Sequence, residues 1–188
     1  MITNIFIAGV GGQGLITLKK ILSYAAINEG KFFRAVEIRG LAQRGGEVNV
    51  HFRIGEVDSP LISEKDADLI IGLDLLEAAR GLEFASSKTR YLVSDHFTPF
   101  FQLAKFDKND LLKVISPVTK NIFIVDAVKI CQEKLKSSVY ESVYLLGFAF
   151  AKKLLPFKEE SLIFAIEKSV PSKFSKENIK AFNLGKNG

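Results

Sequence analysis

The residues with the most chemical potential are glycines. Gly9, Gly11 and Gly14 stand at G-x-G-x-x-G spacing in the run Gly9-Val-Gly11-Gly12-Gln13-Gly14. An apolar strand pattern precedes the run and a helical pattern follows it. Backbone amides at such a helix start attract anions, and a residue without a side chain lets a phosphate approach closely. The same glycines also suit a tight turn that packs the helix on the sheet without any ligand. A dinucleotide site wants an acid near the end of the second strand, to hold a ribose hydroxyl. Glu37 comes 23 positions after Gly14, close to the usual ~20. Arg39 and Arg44 stand near enough to neutralise it in an ion pair.

A second cluster follows at once. Arg39, Gln43 and Arg44 are interleaved with Gly40, Gly45 and Gly46. Guanidinium forks bind phosphate or carboxylate in bidentate fashion. In a doubly wound fold, the loops after the first and second strands lie at one carboxyl edge and face one crevice. Both loops therefore belong to one candidate binding or subunit-contact site.

Other chemistry is harder to assemble. G-x-S-x-G is absent, and no pair of carboxylates is placed to act as general acid and base. Asp95-His96 reads as a turn after a strand, and Asp66, Asp68 and Asp74 as loop and cap residues. The one cysteine, Cys131, cannot form an internal disulfide or supply the four thiolates of an iron–sulfur cluster. Its surroundings read as a helix, so a buried structural thiol is expected. The two histidines, His51 and His96, are too few for a typical zinc site.

The composition fits an ordinary globular chain of one domain, 188 residues with 47% hydrophobic and 25% charged. The net charge of +5 is spread over scattered lysines. Without a run of like charges, no nucleic-acid partner is expected. No leader pattern precedes the first strand, and no apolar run approaches the ~20 residues of a membrane span. A cytoplasmic location is expected.

The elements that must position these loops follow from periodicity. Residues 4–9 read as a buried strand, 14–28 as a helix stopped by Gly30, and 32–38 as a second strand. This β-α-β opening implies parallel strands. Residues 47–54 alternate cleanly, which predicts a strand with one polar face, antiparallel or at an edge, and with His51 at the surface or hydrogen-bonded. Strands at 68–73, 90–94 and 122–126 alternate with helices at 74–82, where Asp74 is the N-cap, and 109–115. The order predicts an α/β, Rossmann-like, doubly wound and mostly parallel sheet with helices on both faces. The C-terminal third is helical: 139–155, 159–169 and, more weakly, 176–182. The first of these is apolar nearly all round and must be buried, in the core or against another chain. The isolated chain could dimerise there.

At the two glycine-rich loops the chain resembles the gamma subunit, or gamma domain, of the 2-oxoacid:ferredoxin oxidoreductases. It looks most like the small (beta) subunit of the indolepyruvate branch. The carrying residues are Ile7-Ala-Gly-Val-Gly-Gly-Gln-Gly14, Glu37-Ile-Arg-Gly-Leu-Ala-Gln-Arg-Gly-Gly46 and His51-Phe-Arg-Ile-Gly55. Asp66-Ala-Asp-Leu-Ile-Ile-Gly72, Leu76-Glu-Ala-Ala-Arg80, Leu145-Leu-Gly147 and Asn183-Leu-Gly185 also fit. Three positions depart from the pattern. Ser142 stands where asparagine is usual, Arg39 where histidine is common, and Glu47 where a small residue is common.

The resemblance implies a subunit without activity of its own. The whole complex would decarboxylate a 2-oxoacid oxidatively, join the acyl group to coenzyme A and pass electrons to ferredoxin. Thiamine diphosphate and the iron–sulfur clusters would belong to larger partner subunits. Residues 9–14 and 39–46 would face coenzyme A or a partner. From the motif alone, a free-standing NAD(P)- or FAD-binding oxidoreductase and a phosphate- or acyl-carrier-binding module remain as alternatives.

Overall fold

A computed structural model describes residues 2–40, 46–97 and 108–188. Its centre is a six-stranded sheet: β1 (Thr3–Val10), β2 (Phe33–Arg39), β3 (Glu47–Ile54), β4 (Leu69–Gly72), β5 (Arg90–Ser94) and β6 (Ile122–Val125). The spatial order is β2-β3-β1-β4-β5-β6. β1, β4, β5 and β6 pair in parallel, while β3 runs antiparallel to both β1 and β2. Five strands thus point one way, as expected, but β2 does not lie beside β1. The chain turns back after β2, and β3 fills the place between them.

Alternation along the strands sorts the core into two layers. Ile5, Ile7, Leu69, Ile71 and Leu92 face α1 (Leu15–Asn28), α4 (Ala127–Leu135), α5 (Glu141–Ala151), α6 (Glu159–Ser169) and α7 (Ser172–Lys186). Phe6, Ala8, Ile70, Tyr91 and Val93 face α2 (Leu75–Arg80) and α3 (Lys108–Ile115). The first helix therefore lies on one face and the second on the other. Their loops diverge between the carboxyl ends of β1 and β4, the point at which an open α/β sheet gathers its ligands or partners.

The polar face expected on β3 is not a solvent face, and β3 is not an edge. His51 is buried, edge-on to the rings of Phe6 and Phe84. Its Nδ1 accepts from the Ile62 amide at 3.1 Å. Burial holds the imidazole below its ordinary pKa. The connection after β3 folds back over these polar side chains. Arg53 grips it by donating to the carbonyls of Ser59 and Leu61, both at 3.1 Å. β2 is the edge strand instead, with Phe32 just before it 70% exposed.

Helix ends follow local chemistry. α1 closes in a Schellman arrangement: Gly30, at φ 62°, donates to Ile27 O and Lys31 to Ala26 O. α5 ends the same way, with Lys153 at φ 54° in the glycine position, Lys153 N donating to Phe150 O and Leu154 N to Ala149 O. This cap stops the helix at Ala151, short of the expected 155. Its start is also later than 139, because Ser138–Tyr140 form a separate 3-10 turn.

α5 is buried from Glu141 to Ala149 and belongs to the core of this chain. α7 runs longer than its weak pattern suggested. The two helices meet through two glycines. A Cβ on Gly147 would land on the carbonyl oxygen of Phe182, and one on Gly185 on that of Tyr144. Such an approach brings backbone against backbone, which only glycine permits. Cys131 is buried as expected, and burial pushes its thiol up to about 12, with Glu141 adding to the rise.

Candidate functional site at the carboxyl rim

The two glycine-rich loops do meet. Val10 pairs with Glu47, and the Gly11 amide donates to Gly46 O at 3.0 Å. Gly40 N closes the far side by donating to Glu47 O at 2.9 Å. Gln43, Arg44 and Gly45 lie outside the described residues. Gly9, Gly11, Gly12, Gln13, Gly14, Glu37, Arg39 and Gly46 all sit at the carboxyl ends of β1 and β2 or the start of β3.

Within the 9–14 loop each residue has a distinct task. Gln13 turns inward, where its Oε1 accepts from the Val10 amide at 2.7 Å and its Nε2 donates to Leu73 O at 3.2 Å. Its side chain thereby stitches the end of β1 to the end of β4 and fills the crevice between them. Gly9 makes room for it, since a Cβ there would lie 2.7 Å from Gln13 Oε1. Gly14 caps α1 at φ 88° and is covered by α5, with Ser142 Oγ 2.6 Å from where a Cβ would stand. Gly12 differs: at φ 105° it is exposed, and nothing lies within 4 Å of a would-be Cβ.

Glu37 is held twice. Lys19 of α1 donates to Oε2 at 2.6 Å, and Arg39 reaches Oε1 at 2.5 Å through Nη2. Lys19 first, then Arg39, keeps the carboxyl below its ordinary range against the opposing effect of burial. The acid expected to bind ribose is thus committed to two cations of its own chain.

The interior of the rim is acidic. Asp74 caps α2, accepting from Leu76 N at 2.8 Å and Glu77 N at 3.3 Å. Glu77 is buried and meets Arg80 at 3.0 Å, and Arg80 also reaches Glu47 at 3.5 Å. Burial raises Glu77 to about 7. Arg80 opposes the rise, and Glu47 and Asp74 add to it.

Glu141, at the first turn of α5, is a site residue that sequence reasoning missed. It is only 4% exposed. Burial pushes its carboxyl up to about 7; the adjacent Ser94 hydroxyl tempers the rise and Asp74 adds to it. Yet neither Glu141 Oε1 nor Ser94 Oγ completes a hydrogen bond among the described residues. The available signal was an acid placed directly before nine almost wholly apolar residues, where no polar stripe offers it a route to water.

Glu141 lines a cleft of about 300 Å³ that opens between Gly12, Gln13, His96, Val128 and Val139. Ligand pockets usually span ~300–1,000 Å³, so this one suits a side chain better than a dinucleotide. Together with Gln13 in the crevice, Ser142 over Gly14 and carboxyls beneath, the described residues make a poor pyrophosphate cradle. No group of three side chains suited to hold a metal occurs among them, and no helix among them is long and apolar enough to cross a membrane.

The fold and the rim together define an α/β domain: a mixed six-stranded sheet with its open loops gathered at one carboxyl edge. The chain belongs to the pyruvate ferredoxin/flavodoxin oxidoreductase family, whose profile matches residues 4–188. It is 35% identical to the indolepyruvate oxidoreductase subunit IorB of Archaeoglobus fulgidus, over 98% of this chain and 94% of that one. The gamma subunit of a keto/oxoacid ferredoxin oxidoreductase from Geobacter sulfurreducens shares the fold at TM-score 0.71 and 23% identity, covering 98% of this chain and 94% of that chain. A 2-oxoglutarate:ferredoxin oxidoreductase chain from Magnetococcus marinus contains the same fold as part of a larger polypeptide: TM-score 0.71 and 17% identity, over 99% of this chain but 30% of that one. The chain is accordingly a small, accessory-type subunit of the 2-oxoacid:ferredoxin oxidoreductases.

Proposed function

We propose that this chain serves an indolepyruvate-type 2-oxoacid:ferredoxin oxidoreductase by docking, through the rim of residues 9–14 and 39–46, on a larger subunit that carries thiamine diphosphate and the iron–sulfur clusters. The observation that carries this reading is the commitment of the rim to its own structure. Gln13 closes the crevice, Glu37 is bound by Lys19 and Arg39, and the backbone of Gly11 and Gly12 is left exposed. Coenzyme A contact falls to the 39–46 loop, whose Arg39 side chain is 62% exposed. Thiamine chemistry, acyl transfer to coenzyme A and electron delivery to ferredoxin belong to the assembled complex.

The test is reconstitution. The isolated chain should neither oxidise indolepyruvate nor reduce a viologen dye, and adding the larger subunit should give coenzyme A-dependent dye reduction. Turnover by this chain alone, or full activity of the larger subunit without it, overturns the reading. NAD(P) or FAD binding at micromolar concentration, lost on Glu37→Ala, would favour the free-standing oxidoreductase instead.

A further inference from the structure

We propose that the cleft between Gly12, His96 and Val139 receives a lysine or arginine side chain of the larger subunit, which binds Glu141 and Ser94 at its floor. The inference rests on the docking reading above and names the chemistry of the contact.

The argument starts from satisfaction of polar groups. A buried carboxyl oxygen without a donor is costly, and the cost grows if the group ionises. Glu141 Oε1 is in that position, and Ser94 Oγ beside it also lacks a partner among the described residues. Three other acids near the rim have cations from this chain. Glu37 has Lys19 and Arg39, Glu77 has Arg80, and Asp95 has Lys108. Glu141 forms no ion pair among the described residues, although it lines an opening to solvent.

Charge selects the occupant. Asp74 adds negative potential behind Glu141, so an anionic group entering the cleft would meet repulsion, while a cation would be drawn in and desolvated against two acceptors. A guanidinium or ammonium brings several donors on a narrow apolar stem. Val128 and Val139 offer apolar walls for that stem, and Gly12 offers no side chain to block it.

The experiment measures affinity of the full-length chain for the larger subunit of the same organism by biolayer interferometry. Glu141→Gln should weaken binding about 10-fold, and Val139→Arg, which puts a competing cation at the mouth of the cleft, about 30-fold or more. Glu56→Lys, at the opposite end of the sheet, should bind like the wild type. Circular dichroism and thermal melts establish that each variant folds. Val139 is 66% exposed, so its substitution keeps the test decisive should Glu141→Gln fail to fold. Wild-type affinity with both cleft variants overturns this inference and leaves the docking function standing. An unmodified chain that binds no larger subunit removes the docking function, and this inference falls with it.

Discussion

Two regions of this molecule use glycine for opposite ends. At the α5–α7 contact, Gly147 and Gly185 let two backbones touch, and each would drive a Cβ into a carbonyl of the other helix. At the rim, Gly12 faces open space and its absent side chain leaves a surface bare. The same residue type therefore marks closely packed backbone in one region and open backbone in the other. Gly9 and Gly14 lie between these two cases: they belong to the rim motif, yet they are filled by Gln13 and covered by Ser142. A glycine motif in a strand–turn–helix is thus no proof of a nucleotide. What lies over each glycine decides.

The contrast is most easily broken at the helix contact. Gly147→Ala or Gly185→Ala should each cost about 3 kcal/mol through forced backbone separation, lowering the melting temperature by roughly 10 °C. A melt within 2 °C or so of the wild type would mean the helices can part freely. Next in size is Gly14→Ala, which meets both a positive φ and the Ser142 hydroxyl; about 2 kcal/mol of destabilisation is expected by chemical denaturation. Pairing it with Ser142→Gly should recover only the contact part, since the φ of 88° remains.

Glu141 and Glu77 sharpen the comparison through pH. Both carboxyls are raised to about 7 in the fold, above the ordinary 4.5. Between about pH 4.5 and 7 the folded chain therefore holds protons that the unfolded chain has released. Their contribution is undiminished below that window and is lost as pH rises through it. Glu141→Gln should accordingly gain about 1–2 kcal/mol relative to the wild type on going from pH 5 to pH 8. A pH-independent difference would contradict the buried, unpaired state of the carboxyl. Smallest of all, Gly12→Ala should cost only about 1 kcal/mol, from its φ of 105° alone.

Much of this was legible in the sequence, and the failures have physical causes. The 9–14 turn, α1 with its Gly30 stop and the Asp74 cap came through because each depends on neighbours within a few residues. The meeting of the two loops followed from strand direction. The insertion of β3 between β1 and β2 did not, because alternation reports which faces a strand has, not which strands flank it. For His51 the choice between a surface and a hydrogen-bonded place stayed open, because the segment that buries and bonds it, around Ile62, lies eleven residues on and carries no period of its own. α7 read short because its last turn carries Asn183 and Gly185, residues that weaken a helical pattern, and that glycine is the one α5 requires. Glu141 went unseen because its chemistry lies in what surrounds it: Ser94 and Asp74 come from β5 and the end of β4.

Hydrogen–deuterium exchange of the chain, alone and mixed with the proposed thiamine-binding subunit, tests the central claim most directly. Slowed exchange on binding at residues 9–14 and 137–141, with α7 and the exposed edge of β2 unchanged, is the result expected of a docking rim. Protection confined to α7 or to β2, with residues 9–14 exchanging as freely as before, would contradict it.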